Sequence, residues 1–599
     1  MIRMHSAVFL ALVIALGTVP AAGAGETEDL AAARVLFETN LGAIRDRDRD
    51  AYLATYLESE RLARTGAQGI SLGYAGLEAS AGEGWPEVFE AHDLDLVPVR
   101  PGVVYGTYRY RVRFDGVEQS GLSERLFVET DDGWRIAVTS AFPALSGTPP
   151  PPRALVGATL VDGTGAAPVE DAVVVLRGGR IDCAGSAADC PVPGGIGRVD
   201  LTGRWITPGL VDAHVHFSQT GWVDGRPDFI DVRDRHPYEL VQARLRAEPE
   251  RFYRSYLCSG VTAVFDVGGY PWTWDLRRAG QLSTEAPHVA AAGPLLSTLD
   301  FWLNLPAERQ FIHLADEAAA GAGVEYLASH GSDAAKVWFI VREGQPFEEL
   351  AAAVRAAGRE AERRGLPLIV HATELRAAKV AVQAGAHLLV HSVWDREVDD
   401  ELVARMQETG TIYCPTLTVP RGYQRLAEAV ATATEPPVDD PNRCVDPATR
   451  VKVAASAELD DRAPDEEALA RRRARLTERE RIGDVNLRRL ARAGVQIAMG
   501  TDAGNPLTLH GPSVYAEMEA MQAAGMSPME VLVASTRGGA AAMGRSGDLG
   551  TVEAGKIADL LVLAADPSAD AAAFREVVHV VRGGVLRPVG ELSAAARRP

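Results

Sequence analysis

Apolar runs and amphipathic helix patterns alternate through the central part of the chain. Eight runs are rich in β-branched and other apolar residues, and segments with helical periodicity, such as 345–364 and 512–524, lie between them. The apolar runs are 209–217, 260–267, 288–292, 334–339, 366–371, 386–391, 410–419 and 495–499. Eight parallel strands with intervening helices are the number found in a TIM (β/α)8 barrel, so the pattern predicts an α/β barrel over residues 208–545.

Short apolar strands separated by turn residues flank this region on both sides, at 154–207 and 546–592. Neither set is large enough to make a stable sheet alone, so we expect the two to pair into one small β-sandwich. An insertion between the seventh and eighth runs contains a charged helix, 465–492, which we expect to overhang the catalytic face. We interpret the charges of this helix as a solvated surface.

The N-terminal part has a different pattern, with a helical segment at its start and several β-like runs after it. This order predicts a separate α+β domain over residues 25–146. The Pro-rich stretch 147–153 indicates a stiff linker. Residues 1–24 combine an early positive charge, a short apolar run and a small-residue end, which is typical of a cleavable export signal. We therefore expect a periplasmic or secreted protein without a membrane span.

The excess of acidic over basic side chains excludes some classes of binding partner. The 599 residues include 61 basic and 81 acidic side chains, which gives a formal net charge of -20. This excess repels nucleic acid and anionic lipid surfaces. We therefore expect a small-molecule substrate as the partner and no nucleic acid, with assembly into a homo-oligomer left open.

Export would place the five cysteines in an oxidising compartment, where disulfides form. Cys183 and Cys190 are close in sequence, and Cys414 and Cys444 flank a polar, Pro-rich segment. We expect these two pairs to be disulfide-bonded, and we interpret Cys258 as a buried thiol.

Candidate metal ligands stand where several of the apolar runs end. His214 and His216 are spaced i, i+2, and strand side chains alternate, so both imidazoles lie on one face, where a single ion is able to bind both. His371 and His391 each close a run, and Asp502 follows the last run by one short step. The C-terminal ends of parallel barrel strands form the catalytic face, so these five side chains indicate a metal centre there.

The motifs around these ligands resemble a known family. Residues 153–592 are similar to the amidohydrolase superfamily, and most similar to its imidazolonepropionase-like and Xaa-Pro dipeptidase-like branch. The motifs that carry the resemblance are Pro-Gly-Leu-Val-Asp-Ala-His-Val-His at 208–216, Asp-Ala-Ala-Lys-Val at 333–337, Val-His-Ala at 370–372, Val-His-Ser at 390–392, Gly-Thr-Asp-Ala-Gly at 500–504 and Thr-Val-Glu-Ala-Gly-Lys-Ile-Ala-Asp at 551–559. The N-terminal part resembles the NTF2-like family, chiefly through its closing segment at 132–136.

The superfamily resemblance implies a distorted barrel that holds two divalent ions. The implied ligands are His214, His216 and Asp502 for the first ion, His371 and His391 for the second, and Lys336, as a CO2-derived carbamate, between them. A ligand set of histidine and carboxylate without cysteine favours zinc, with iron, cobalt or manganese as alternatives.

The same resemblance implies a hydrolase in which a metal-activated hydroxide attacks an amide-type C–N bond, with Asp502 moving the proton. A dipeptide, an N-acyl amino acid or a cyclic amide is the expected substrate. Two alternatives stay open: an esterase or lactonase that uses the same centre, and a non-catalytic binding scaffold. Arg342, Tyr423 and His510, on expected barrel loops, are candidate substrate contacts.

Overall fold

A computed structural model describes residues 24–66, 69–81, 85–114, 117–143, 150–300 and 304–594, and the chain forms two compact units, residues 1–148 and 149–599. The expected export signal lies outside the described residues except for Ala24, and so does the first part of the expected linker. Among the described residues, no helix combines the length and the apolar character needed to cross a bilayer.

The first unit contains three described helices and one six-stranded sheet. Its elements are Ala24–Asp46 (α1), Arg49–Ala54 (α2), Ala63–Gly66 (β1), Gly69–Leu72 (β2), Tyr74–Ser80 (α3), Val88–Arg100 (β3), Val103–Phe114 (β4), Val117–Thr130 (β5) and Gly133–Pro143 (β6). The strand order is β2-β1-β6-β5-β4-β3, and β3 to β6 are antiparallel. Helix α1 packs on this sheet, where the Phe37 and Tyr108 rings meet edge to face. The unit is therefore an α+β layer, as predicted.

In the second unit, strands from both flanks form one eight-stranded sheet. They are Arg153–Leu160 (β7), Val169–Arg177 (β8), Arg180–Gly185 (β9), Gly197–Asp200 (β10), Trp205–Pro208 (β11), Leu560–Leu563 (β21), Val577–Arg582 (β22) and Val585–Pro588 (β23). Strand β11 joins the two flanks, because it pairs with β7 on one side and with β21 on the other. The two-layer packing of a sandwich stays a prediction.

Parallel strands form the centre of the second unit. They are Leu210–Val215 (β12), Val261–Asp266 (β13), His288–Ala291 (β14), Leu295–Ser297 (β15), Phe311–His313 (β16), Ala335–Trp338 (β17), Leu368–His371 (β18), Ala386–Val390 (β19) and Ile412–Cys414 (β20). They hydrogen-bond as two sheets, β12-β13-β14 and β16-β15-β17-β18-β19-β20. Buried side chains such as Val337, Val370 and Leu389 belong to the large core of this unit.

Helices separate most of these strands. They are Tyr238–Ala247 (α4), Glu250–Cys258 (α5), Leu276–Leu282 (α6), Glu317–Ser329 (α7), Phe347–Arg364 (α8), Leu375–Gln383 (α9), Asp400–Thr409 (α10), Val419–Ala431 (α11), Pro447–Ala454 (α12), Glu466–Arg492 (α13), Ser513–Ala523 (α14), Pro528–Val533 (α15), Gly539–Ala542 (α16) and Val589–Leu592 (α17). The inserted helix α13 begins where Asp465 caps it by accepting a hydrogen bond from the Ala468 N–H at 2.7 Å.

The eighth apolar run, 495–499, does not form the continuous strand that we expected. Isolated bridges pair Ile497 with Tyr413 of β20 and Ala503 with Val215 of β12. The segment between these bridges therefore contacts both sheets but leaves regular strand geometry, and the Thr501 N–H and hydroxyl bond to the Asp212 carboxylate instead of to a ladder carbonyl. A closed eight-stranded barrel stays a prediction.

The predicted Cys414–Cys444 disulfide and the predicted free thiol at Cys258 are both wrong. The structure pairs Cys258 with Cys444 and Cys183 with Cys190, and Cys414 is a free, buried thiol. Cys414 ends β20 and packs with the apolar side chains inside the strands, whereas Cys258 ends α5 beside the inserted segment. The fold therefore brings together two cysteines that are 186 residues apart in sequence.

We expect the Cys258–Cys444 disulfide to be the more stabilising of the two, because it closes the longer loop in the unfolded chain. A Cys258→Ser/Cys444→Ser variant should lose about 2–5 kcal/mol in the free energy of unfolding, measured by denaturant titration. The matched control is Cys183→Ser/Cys190→Ser, whose bond spans 7 residues and should matter less. Non-reducing peptide mapping that recovers a Cys414–Cys444 peptide would contradict this pairing.

Candidate metal centre

The expected ligands converge at the C-terminal ends of the central strands. Nε2 of His214 lies 3.3 Å from Nε2 of His216, and Oδ1 of Asp502 lies 3.4 Å and 3.0 Å from these two atoms. The His391 ring lies 4.8 Å from the His214 ring and 4.3 Å from the His371 ring, centre to centre. Four imidazoles and a carboxylate thus share one small volume.

These residues fit a divalent ion. His214, His391 and Asp502 each offer a ligand atom, and the three atoms lie within 4.8 Å of one another. The Oδ1 atom of Asp502 is buried without a hydrogen-bond partner among the described residues. A buried carboxylate oxygen that lacks a hydrogen bond costs free energy unless a cation compensates it. The histidine and carboxylate donors are those that zinc and similar ions prefer.

Burial keeps three of the imidazoles neutral, which is the form that ligates metals. The pKa values of His214, His371 and His391 all fall well below the ordinary histidine value, chiefly because the rings are desolvated and also because positive groups lie near them. Neutral rings keep a lone pair available at neutral pH, and metal binding therefore needs no proton release from them.

Outer hydrogen bonds orient three of the rings. Nδ1 of His216 donates to the Gly268 carbonyl at 2.7 Å, which leaves the lone pair on Nε2. Nδ1 of His391 pairs with the Thr416 hydroxyl at 2.7 Å. The Trp338 indole donates to Nδ1 of His371 at 3.1 Å, so ligation through that nitrogen requires this bond to break.

Lys336 is a basic side chain buried among these rings. It lies on β17 and is only 2% exposed. Burial lowers the pKa of its amine to about 7, although the charge of Asp502 opposes this effect. A substantial fraction of the amine is therefore unprotonated at neutral pH, as carbamate formation requires.

Buried carboxylates hold the backbone that carries the ligands. Asp212 accepts hydrogen bonds from Thr501 and from the His214 N–H, and burial raises its pKa to about 7. Asp266 accepts from the Phe217 N–H at 2.8 Å, directly after His216. These bonds fix the positions of the ligand-bearing segments.

Two candidate ligands have an unusual backbone conformation. His391 has a φ of +72° and Asp502 a φ of +61°, in the left-handed region that non-glycine residues seldom occupy. The Asp502 N–H donates to the His214 carbonyl at 2.7 Å, which holds the Asp502 segment against β12. Such strain persists where the surrounding structure fixes it, and it is frequent at functional sites.

The ligands line a cavity of about 400 Å³. Tyr423, a predicted substrate contact, also lines it and donates a hydrogen bond to Asn505 at 2.6 Å. Arg342 is exposed on the surface and is not among the residues that line this cavity. The structure therefore places Tyr423 at the site, although on helix α11 and not on the loop that we expected.

His510 is a structural residue, and its prediction as a substrate contact is wrong. Its ring is 3% exposed and stacks on Phe252 at 3.9 Å, and its Nε2 donates to the His216 carbonyl at 3.1 Å. Burial lowers the pKa of His510 to about 3, so the ring stays neutral. It supports the His216 backbone from behind.

Several side chains of the cavity were not predicted from the sequence. They are Gln219, Arg226, Gln310, Trp338, Trp394, Arg472, Arg475, Arg479 and Asn505. The three arginines of α13 had a recognisable signal, because their spacing puts them on one helix face. The others lie in loops or at strand ends, where no periodic pattern distinguishes them from ordinary surface residues.

Comparisons with known proteins identify the family of the chain. The model of the amidohydrolase family matches residues 205–587. An imidazolonepropionase from Caulobacter vibrioides (strain NA1000 / CB15N) is 27% identical over 451 residues, which cover 68% of this chain and 90% of that protein. The sequence resemblance to this family is thereby confirmed.

Solved structures show the same fold. A Xaa-Pro dipeptidase with bound methionine in the active site is 23% identical, with a TM-score of 0.54 over 73% of this chain and 100% of that chain. Molinate hydrolase is 22% identical, with a TM-score of 0.56 over 76% of this chain and 98% of that chain. Because the family model spans more than half of its length, the chain belongs to the amidohydrolase family of hydrolases.

Proposed function

We propose that this protein is a binuclear metal-dependent amidohydrolase that cleaves an amide-type C–N bond of a small molecule. The observation that carries the proposal is the largely buried cluster of four imidazoles, Asp502 and Lys336 at one cavity. The cavity volume of about 400 Å³ suits a substrate of dipeptide or N-acyl amino acid size. The proposed ions are zinc, with the ligand sets that the family resemblance implies.

The bound ions would lower the pKa of the attacking water and polarise the substrate carbonyl. Asp502 would accept a proton from that water and deliver it to the leaving nitrogen, which is general acid–base catalysis. Its hydrogen-bonded backbone and positive φ hold the carboxylate beside His214 and His216.

Lys336 would hold the two ions together as a carbamate. Its unprotonated amine would attack the carbon of CO2, so that an N–C bond forms, one C=O π bond becomes the C–O⁻ of the carbamate, and one amine proton is lost to water. The resulting carbamate anion would be a ligand for the ions. An ammonium group beside two dications is electrostatically unfavourable, whereas the carbamate supplies negative charge there. The low exposure of Lys336 supports this role.

A hydrolysis screen of the zinc-loaded full chain tests the proposal. The panel comprises dipeptides that end in proline, N-acyl amino acids, cyclic amides, lactones and aryl esters, and His391→Ala serves as the matched control for contaminating hydrolases. We expect turnover of at least one amide class that a chelator abolishes. Turnover restricted to lactones and esters would favour the esterase alternative, and no chelator-sensitive turnover would favour a binding scaffold.

We also propose that the protein is exported before it acts. The pattern of residues 1–24 supports this proposal. N-terminal sequencing of protein recovered from the periplasm or medium should begin near Gly25. Recovery of chains that still begin with Met1 would contradict it.

A further inference from the structure

Three arginines of α13 lie on one face and line the cavity of the metal centre. Arg472, Arg475 and Arg479 are spaced i, i+3 and i+7, which places them on neighbouring turns of the same helix side. They share the cavity with the candidate ligands His371 and Asp502. The helix therefore brings three positive charges to the space in which a substrate would lie.

These arginines differ from their neighbours on the same helix. Arg471 pairs with Glu467, Arg473 with Glu428 at 2.7 Å, and Arg481 with Glu478 at 2.8 Å. We call Arg472, Arg475 and Arg479 the cavity-facing set. In the described part of the chain, by contrast, this set forms no ion pair with a carboxylate.

Other contacts fix two of the three guanidinium groups in place. Arg472 lies over the Phe229 ring at 5.0 Å, and Arg479 lies over the Trp394 ring at 4.9 Å. An arginine that stacks on an aromatic face keeps its N–H edges available to bind an anion. Trp394 itself lines the cavity, so the Arg479 guanidinium is held at its wall.

The electrostatic environment of these arginines is unfavourable without an anion. Burial, and then repulsion from Arg475, lower the pKa values of Arg472 and Arg479. The chain as a whole carries a formal net charge of -20, with 81 acidic side chains, yet none of those carboxylates in the described residues lies within ion-pair distance of this set. A positively charged wall of this kind attracts small anions and raises their association rate.

We propose that Arg472, Arg475 and Arg479 bind a carboxylate or phosphate group of the substrate, on the side of the molecule away from the bond that is cleaved. The inference rests on the proposed hydrolase function, and it makes the substrate an anionic small molecule. The three guanidinium groups offer paired N–H donors that match the oxygens of a carboxylate or a phosphate. A neutral amide of the same size lacks the charge that this wall recognises.

The direct test is calorimetric titration of the zinc-loaded full chain with succinate, with inorganic phosphate and with neutral succinamide. We expect one of the two anions to bind, succinamide to bind at least about tenfold more weakly, and added salt to weaken anion binding. An Arg472→Gln/Arg475→Gln/Arg479→Gln variant should lose at least about tenfold in affinity for that anion. Whichever of the two anions binds with the higher affinity shows whether the substrate group bound by these arginines is a carboxylate or a phosphate.

The matched control is Arg471→Gln/Arg473→Gln/Arg481→Gln, which removes the same number of charges from the same helix. This control should bind the anion within about twofold of the wild type, because its arginines are engaged with glutamates and are largely screened. Equal losses in both triple variants, an unchanged affinity in the cavity-facing variant, or no anion binding by the wild type would each overturn the inference. Metal content and thermal unfolding, measured in both variants, verify that each is folded.

Kinetics separate this inference from the proposed function. In the wild type, kcat/KM for the best hydrolysed acid should exceed kcat/KM for its carboxamide derivative by at least about tenfold. In the cavity-facing variant, the ratio of these two values should approach one. Hydrolysis with an unchanged ratio would contradict the arginine assignment alone. Absence of hydrolysis, with anion binding intact, would contradict the proposed function and leave the arginine assignment standing.

Discussion

Lys336→Ala should remove metal and turnover together. The side chain is 2% exposed at the ligand cluster, and burial has already lowered its pKa to about 7. Without a bridging anion, two dications at this site would share only water, and their repulsion would be uncompensated. We expect metal affinity and kcat/KM each to fall by at least about a hundredfold. Mutating a residue that only hydrogen-bonds to a metal ligand already lowers metal affinity or activity by about ten- to a hundredfold.

The measurement combines metal analysis with kinetics, and Lys379→Ala is the matched control. Lys379 pairs with Asp399 and Glu401 and is not among the residues that line the cavity, so its loss should change neither quantity. Short carboxylic acids such as formate should partly restore activity to Lys336→Ala by occupying the vacated carbamate position. A Lys336→Ala protein with full metal content and full turnover would show that the bridge lies elsewhere.

Asp502→Asn should retain most of the metal and lose most of the turnover. Asparagine keeps the shape and an oxygen ligand, but it is unable to accept and deliver a proton. Loss of a positioned general acid–base group is worth about a hundred- to ten-thousandfold in rate. The loss should fall on kcat more than on KM, because proton transfer belongs to the transition state and not to substrate binding.

Leaving-group dependence distinguishes the proton-transfer role of Asp502 from a purely ligating role. Amide substrates need a protonated leaving nitrogen, whereas activated aryl esters have leaving groups that depart as anions. The variant should therefore lose more activity on amides than on such esters at equal metal content. Equal losses on both substrate types would assign the proton transfer to another residue of the cavity.

The positions of the ligands followed from the sequence because strand periodicity is a local property. A histidine that closes an apolar run lies at a strand end, and parallel strands bring their ends together; His371 and His391 lie side by side for this reason. The backbone at Asp502 had no such signal. Its positive φ results from the hydrogen bonds that the 500–503 segment makes with β12, which are tertiary contacts.

The wrong predictions from the sequence concern residues whose neighbours in the fold are distant along the chain. Cys444 was assigned to Cys414 by proximity along the chain, but the fold places Cys414 inside the strands and brings Cys258 to Cys444. His510 lies in an expected loop, yet it packs behind His216. The charges of α13 were interpreted as uniformly solvated, because a helix pattern does not show which of its faces covers a cavity.

The metal content of the protein, measured before and after the metal is removed and returned, decides whether hydrolysis depends on bound metal. The purified chain should contain about two zinc or related divalent ions, measured by elemental analysis. Dialysis against a chelator should remove them together with amide hydrolysis, and added zinc should restore activity in proportion to the metal that rebinds. A chain that contains no stoichiometric metal, or that hydrolyses amides equally well after chelation, would contradict the account.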